Sequence, residues 1–281
     1  MKTGLILEGG GMRGLFSAGA IDVLMEHQID FDGAIGVSAG AAFGCNYKSQ
    51  QPGRAIRYNM KYAKDPRYCS FRSLMKTGDL FGADFCYHTL PKTLDIFDAE
   101  TFRQNPMEFY VVCTDIETGE AVYHQCDEAD DACFEWFRAS ASMPLVSKAV
   151  EVEGRRMLDG GIVDSIPLRY FEKIGYDKNL VILTQPEGYC KKKNSAMPLI
   201  RMGLRQYPKT VEAMKHRHEK YNETLAYIKE KEHAGTVMVL RPPYPLPIGR
   251  IEHRPERMQQ VYCCGRNVAL QALEQIKAFL K

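Results

Sequence analysis

Charge-free runs closed by glycines set the pattern of this chain. Thr3 to Leu7 carries no charge until Glu8, which predicts a short buried strand. Gly9-Gly10-Gly11-Met12-Arg13-Gly14 breaks that run, and Leu15, Ala18, Ile21, Leu24 and Met25 then recur at helical spacing. A second short apolar run closes on Ile35-Gly36-Val37-Ser38-Ala39-Gly40 and predicts a strand followed by a helix from Ser38 to about Ser49, stopped by Gln51-Pro52-Gly53. Residues 54–64 read as a basic helix. From Asp65 to Asn105 the pattern is irregular and rich in aromatics, the expectation for a lid or binding wall, or for a loop-rich packing layer.

Two hairpins follow in the pattern. Glu108–Asp115 and Glu120–Gln125 turn about Glu117-Thr118-Gly119, and Ser147–Glu153 and Arg156–Leu158 turn about Gly154, with a helix from Asp131 to Ser142 between them. The second hairpin leads into Asp159-Gly160-Gly161. A helix to about Lys173, a buried strand Leu180–Thr184, basic helices broken at Pro208 and reaching about His233, a strand Thr236–Leu240 and a helix Met258–Leu280 complete the chain. No repeat and no linker stands out, so one domain over 1–281 is expected, with its core at 3–185.

Composition narrows the class. The chain has 281 residues, 45% of them hydrophobic and 26% charged, as in ordinary globular proteins. The uncharged stretch Gly33–Tyr47 is shorter than a membrane span. Nine cysteines without a C-x-x-C pair argue against a disulfide framework and a zinc site, and suit a reducing cytosol. The net charge of +2 is unevenly spread: Tyr189–Tyr221 holds nine Lys/Arg against Glu212 and Glu219, so that segment is +7 and the remainder about −5. Such a run is either a solvated helix face or a contact for an anionic surface, and Met197, Leu199, Ile200, Met202 and Leu204 beside it leave both readings open.

Ser38 between Gly36 and Gly40 has the G-x-S-x-G form of a nucleophile elbow. A tight strand-to-helix turn there holds the serine in strain and lifts its hydroxyl out of the sheet. Side chains at 36 and 40 would collide with the neighbouring strand and helix. The loop Gly9–Gly14 admits several readings. Gly9, Gly11 and Gly14 fit G-x-G-x-x-G, a dinucleotide fingerprint, but no acidic partner closes the second strand. The Gly-Lys-Ser/Thr of a P-loop is missing. An oxyanion hole built on the Gly10 and Gly11 amides explains why the loop precedes the elbow by one helix. Ser38 needs a base. His216, His218 or His253 could serve in a Ser-His-Asp arrangement; Asp159, presented by two glycines, could take the proton directly if burial adjusts its pKa. Asp-Gly-Gly is also a common turn.

In this order, Gly-Gly-Gly-x-Arg-Gly, G-x-S-x-G and Asp-Gly-Gly resemble the patatin-like phospholipase family, and its compact bacterial members in particular, over roughly residues 3–185. The resemblance implies a three-layer α/β/α sandwich with a mostly parallel central sheet and a Ser–Asp dyad without a catalytic histidine. It makes Ser38 the nucleophile and Asp159 its partner, with Gly10 and Gly11 as oxyanion donors and Arg13 holding the loop or the oxyanion. Gly9, Gly14, Gly36, Gly40, Gly160 and Gly161 are its motif glycines. The activity implied is hydrolysis of fatty-acyl esters of lipids, with no metal, cofactor or nucleic-acid partner, in a cytoplasmic protein whose peripheral contact with membranes is left open. Ala139-Ser140-Ala141-Ser142-Met143-Pro144 also matches a family segment, with no chemical role assigned to it. Glu8 departs from the pattern, where many members carry Asp.

Overall fold

Residues Lys2–Leu7 (β1) enter the middle of a sheet because both of their faces are apolar: Leu5 and Leu7 join one core and Ile6 the other, all fully buried. The computed structural model describes residues 1–281. After β1 come a 3-10 turn (Gly11–Gly14), α1 (Leu15–Glu26), β2 (Gly33–Val37), α2 (Ala39–Lys48) and α3 (Arg54–Lys61). Then follow α4 (Phe71–Thr77), a π-helix (Phe85–Leu94), α5 (Ala99–Gln104), β3 (Glu108–Asp115), β4 (Ala121–Gln125), α6 (Asp131–Ser140), β5 (Val150–Val152) and β6 (Arg155–Asp159). A 3-10 turn (Gly160–Ile162), α7 (Leu168–Lys173), β7 (Tyr176–Ile182), α8 (Met197–Gly203), α9 (Pro208–His233), β8 (Val237–Leu240) and α10 (Pro255–Leu280) close the chain.

One eight-stranded sheet runs β5-β6-β3-β2-β1-β7-β8, with β4 also paired to β3. From β3 to β8 neighbouring strands are parallel; β4 and β6 both pair antiparallel to β3. Helices α1, α2, α3 and α10 cover one face through the larger core, and α7 and α9 cover the other through Phe171, Tyr221 and Ile228. This is the expected α/β/α sandwich. The strands end at Leu7, Val37 and Asp115 on one edge, and the glycine loop and Ser38 emerge there, where open parallel sheets place their ligands.

The expected elements hold except in two places. Between Asp65 and Asn105 the irregular pattern conceals three helical segments. Two have ordinary starts: Ser70 accepts the Ser73 amide (3.0 Å) to cap α4, and Asp98 accepts the Thr101 amide (2.9 Å) to cap α5. The third is a π-helix with Pro91 inside it, whose pitch does not follow the 3.6-residue period. Second, β7 begins at Tyr176 rather than Leu180: Tyr176 and Lys178 pair with Lys2 and Thr3 of β1, with Asp177 skipped at a bulge between them.

The last helix is joined tightly to the first. A Cβ on Gly265 would overlap the Phe16 carbonyl oxygen, and one on Gly19 would overlap that of Tyr262, so the two backbones touch with no side chain between them. Tyr262 also donates to the buried Asp22 carboxylate at 2.5 Å, and Arg266 pairs with Glu26 at 2.7 Å. Gly265→Val is therefore expected to cost about 1–3 kcal/mol or more by overpacking. Urea unfolding would show it as a lower midpoint at unchanged slope; an unchanged midpoint would mean that the helices separate freely.

Candidate active site

Ser38 stands between β2 and α2 at φ 56°, ψ −121°, a conformation a non-glycine residue rarely adopts. Its neighbours leave no other path. A Cβ on Gly36 would lie 2.5 Å from the Ala41 nitrogen, and one on Gly40 would overlap the Leu7 carbonyl oxygen. Gly9 passes so close that a Cβ there would be 2.8 Å from Val37 O and 3.0 Å from Ser38 Cβ. The Ser38 amide donates to Ser140 Oγ at 2.9 Å, and that hydroxyl donates to Val112 O at 2.7 Å. Ser140 is fully buried, so its hydroxyl is the fixed partner of the turn.

Asp159 is delivered by the end of β6, which pairs with β3 at Cys113. Its amide donates to Ser142 O at 2.9 Å and its carbonyl accepts Thr114 Oγ1 at 2.8 Å. Its Oδ1 accepts the Gly161 amide at 2.7 Å. Gly160 must lack a side chain because its α-carbon lies against the Val112 carbonyl. Burial pushes the Asp159 carboxyl above its usual range; the Arg217 cation, the Ser38 hydroxyl and the Gly161 amide oppose that shift. Segment 139–144 thus has a structural role that the sequence did not disclose: Ser140 holds the elbow and Ser142 holds the aspartate.

The glycine loop borders the same space. The Gly10 and Gly11 amides donate to no backbone carbonyl, and both residues line the cavity beside Ser38 and Asp159. Gly11 has φ +59°, and a Cβ there would stand 2.5 Å from the Arg250 carbonyl oxygen. Protein backbone therefore fills the approach that a dinucleotide pyrophosphate would need, against that alternative reading. Gly14 packs on Ala39 and Phe43. Arg13 faces the cavity, with its Nε buried and without a partner. Glu8 lies under the loop, accepting the Thr184 amide (2.6 Å), Thr184 Oγ1 (3.1 Å) and the Tyr221 hydroxyl (2.6 Å).

The cavity encloses about 290 Å³. One end is apolar, walled by Phe43, Tyr58, Phe81, Leu90, Phe134 and Phe137, so the π-helix and α6 form a wall as one reading of 65–105 expected. The other end is basic, with Arg13, Lys191, Arg217 and Arg250. Lys191 and Arg217 belong to the basic segment but turn inward, which corrects the reading of that run as wholly surface. No histidine lines the cavity. His216 lies between Glu212 (2.8 Å) and Glu219 (2.5 Å), His218 Nδ1 meets Lys215 O (3.1 Å) and His253 Nδ1 meets Ala63 O (2.7 Å). None of the three reaches Ser38, so a Ser-His-Asp triad through them is not formed.

Ser140→Ala removes the acceptor of the Ser38 amide and leaves that amide without a partner. We expect a loss of about 1–3 kcal/mol in urea unfolding, and amide exchange at residue 38 accelerated relative to β2. Unchanged exchange at that amide would mean that the Ser140 hydroxyl does not hold the turn.

The family model described as patatin-like phospholipase matches residues 5–172, and a model described as a domain of unknown function matches residues 207–281. An uncharacterized protein of Escherichia coli (strain K12), YjjU, is 26% identical over 94% of this chain and 75% of its own length. An uncharacterized NTE family protein of Mycobacterium tuberculosis is 28% identical over 64% of this chain, which spans 48% of that protein. A lysophospholipase, nte1, of Emericella nidulans is 28% identical over 62% of this chain, which spans only 11% of the fungal protein.

Proposed function

Because the chain belongs to the patatin-like phospholipase family, we propose that it is a serine hydrolase of lipid acyl esters working through Ser38 and Asp159. The observation that carries this reading is a strained serine beside a desolvated carboxylate, in a cavity whose longer wall is apolar. Asp159 takes the Ser38 proton, and the oxygen attacks the acyl carbonyl. Negative charge on the carbonyl oxygen is met by the Gly10 and Gly11 amides and by the field of Arg13. Asp159 returns the proton to the leaving alcohol. Water then attacks the acyl-serine, with the same carboxylate as base. The apolar end holds the acyl chain. Residues 186–281 act within the same unit in this reading, since β8 completes the sheet and α10 packs on α1.

A fluorophosphonate probe is expected to label Ser38 alone and to leave Ser38→Ala unmodified; an adduct mapped elsewhere would end the hydrolase reading. Asp159→Asn should lower kcat by about 10²–10⁴-fold with the fold intact, the range that a general base supplies. The carboxylate must be ionised to accept the proton, and burial raises its pKa, so kcat/KM should fall as pH drops through a value above the ordinary carboxyl range. Arg217→Met removes the opposing cation and should move that acid limb to higher pH, measured with a short uncharged ester. A limb that stays in place would take Asp159 out of the role of base.

A lipid substrate also requires a surface to meet. On α8, Leu199 and Met202 are 55% and 69% exposed while Ile200 is buried, and Leu145 lies against Gly203 beside the cavity residue Val146. Lys192, Lys193, Arg201 and Arg205 are exposed around them. In this reading the rim rests on an anionic bilayer. Co-sedimentation with phosphatidylglycerol vesicles should fall with salt and with Leu199→Ser/Met202→Ser; indifference to both would leave α8 as plain surface.

A further inference from the structure

The two ends of the cavity treat charge differently. At the apolar end each cation has a carboxylate: Arg54 lies 3.4 Å from Asp95, and Arg138 lies 3.3 Å from Asp79 and 2.9 Å from Glu135. At the other end Arg13, Lys191, Arg217 and Arg250 face the same space as Ser38, and none of the four forms an ion pair. The carboxylates nearest to them are engaged. Glu8 is saturated by Thr184 and Tyr221, and Asp159 is held by Gly161.

Arg13, Lys191 and Arg217 each feel the positive charge of Arg250. Lys191 is pushed down to about 7, first by burial and then by Arg217, Arg250 and Arg13, with only Glu8 acting in the opposite sense. Burial likewise lowers Arg217 and Arg13, with Arg250 adding to the effect and the carboxylates of Asp159 and Glu8, respectively, opposing it. Arg217 anchors its Nε on Gly161 O, so the rest of its guanidinium is left facing the site. The buried Nε of Arg13 has no partner at all. Three partly buried cations and the exposed Arg250, one of them with an orphaned donor, thus face only Glu8 and Asp159, which act on them without a direct ion pair, and positive charge is left in excess. Three of the four, Lys191, Arg217 and Arg250, lie beyond the residues matched by the patatin-like model, and Arg217 and Arg250 fall within the domain of unknown function.

We infer that Arg13, Lys191, Arg217 and Arg250 form a headgroup site for a phosphate monoester. The preferred substrate is then a lipid whose acyl ester lies next to a terminal phosphate, rather than one with a zwitterionic choline head. A phosphate dianion offers three acceptor oxygens to these donors, whereas a choline ammonium would be brought against four cations with no free carboxylate to meet it. The inference rests on the reading of Ser38 as nucleophile only for the word substrate; the site itself is tested by binding.

The test uses the full-length chain carrying Ser38→Ala, so that nothing is turned over, and isothermal titration with octyl phosphate and with octylphosphocholine below their aggregation concentrations. Octyl phosphate should bind at least about tenfold tighter, as expected for charge-assisted hydrogen bonds to a buried anion. Its affinity should fall with added salt, and Lys191→Gln and Arg250→Gln should each shrink the ratio between the two ligands. Arg250 is exposed at the cavity rim, so its substitution reports on the site even if Lys191→Gln misfolds. Equal affinity for the two amphiphiles, or a ratio untouched by both substitutions, would overturn the inference. Inorganic phosphate binding as tightly as octyl phosphate would also overturn it, because the site would then take a free anion and not a lipid head. Failure of the fluorophosphonate to label Ser38 in the unsubstituted chain would instead remove the hydrolase reading, without bearing on this ratio.

Discussion

A serine at φ 56°, ψ −121° costs of order 1–3 kcal/mol, and it persists because backbone is packed on backbone around it. The Leu7 carbonyl lies against Gly40, the Val37 carbonyl against Gly9, and the helix nitrogen of Ala41 against Gly36. Each of those contacts excludes a side chain, and together they allow one path from β2 into α2. The end of β3 carries the rest of the load. Val112 O receives the Ser140 hydroxyl that holds the elbow and also lies against Gly160, while Thr114 holds the Asp159 carbonyl. One strand end thus fixes the two sides of the site relative to each other. A shift of β3 would separate them.

That arrangement explains what could be read from the sequence. Close backbone approach demands glycine at fixed offsets, and the demand is local, so Gly36, Gly40, Gly9 and Gly160 mark their places without knowledge of the fold. The sandwich was legible only through the family resemblance that those motifs carry in order; the alternation of short apolar runs with helical spacing agrees with it. Ser140 and Ser142 were visible only as a segment, because a serine that donates to a distant carbonyl looks like any other. Arg217 and Lys191 were harder still. They sit in a run of charge that is usually solvated; the packing of α9 on the sheet turns Arg217 inward, and Lys191, in the loop before α8, is tied by its backbone to Asn222 of α9. The π-helix was missed because Pro91 and a pitch outside 3.6 residues erase the periodicity by which helices are recognised.

In the proposed mechanism, the choice of aspartate rather than histidine as the partner of Ser38 rests on where groups are and how they are solvated. His216 is bound on both ring nitrogens by surface glutamates, which suits a helix face and leaves it no access to the cavity. Asp159 lies in the wall of the cavity, and burial raises its proton affinity towards that needed by a base. Arg217 limits the rise. Burial alone would push the carboxyl further up, and a direct ion pair would pull it down and make it a weaker base. The arginine acts on Asp159 without pairing with it, its Nε being committed to the Gly161 carbonyl.

The same arginine joins the two halves of the cavity. Its charge favours the ionised form of Asp159 and adds to the excess of positive charge at the basic end, so an anion bound there would weaken the stabilisation of the carboxylate. A bound phosphate dianion would therefore raise the proton affinity of Asp159 while the scissile ester is in place. In the proposed mechanism Arg217 and Arg250 favour the ionised carboxylate in the empty site, and a phosphate bound there would make Asp159 a stronger base. If both proposals hold, binding of the headgroup and basicity of the aspartate are coupled through the Arg217 guanidinium.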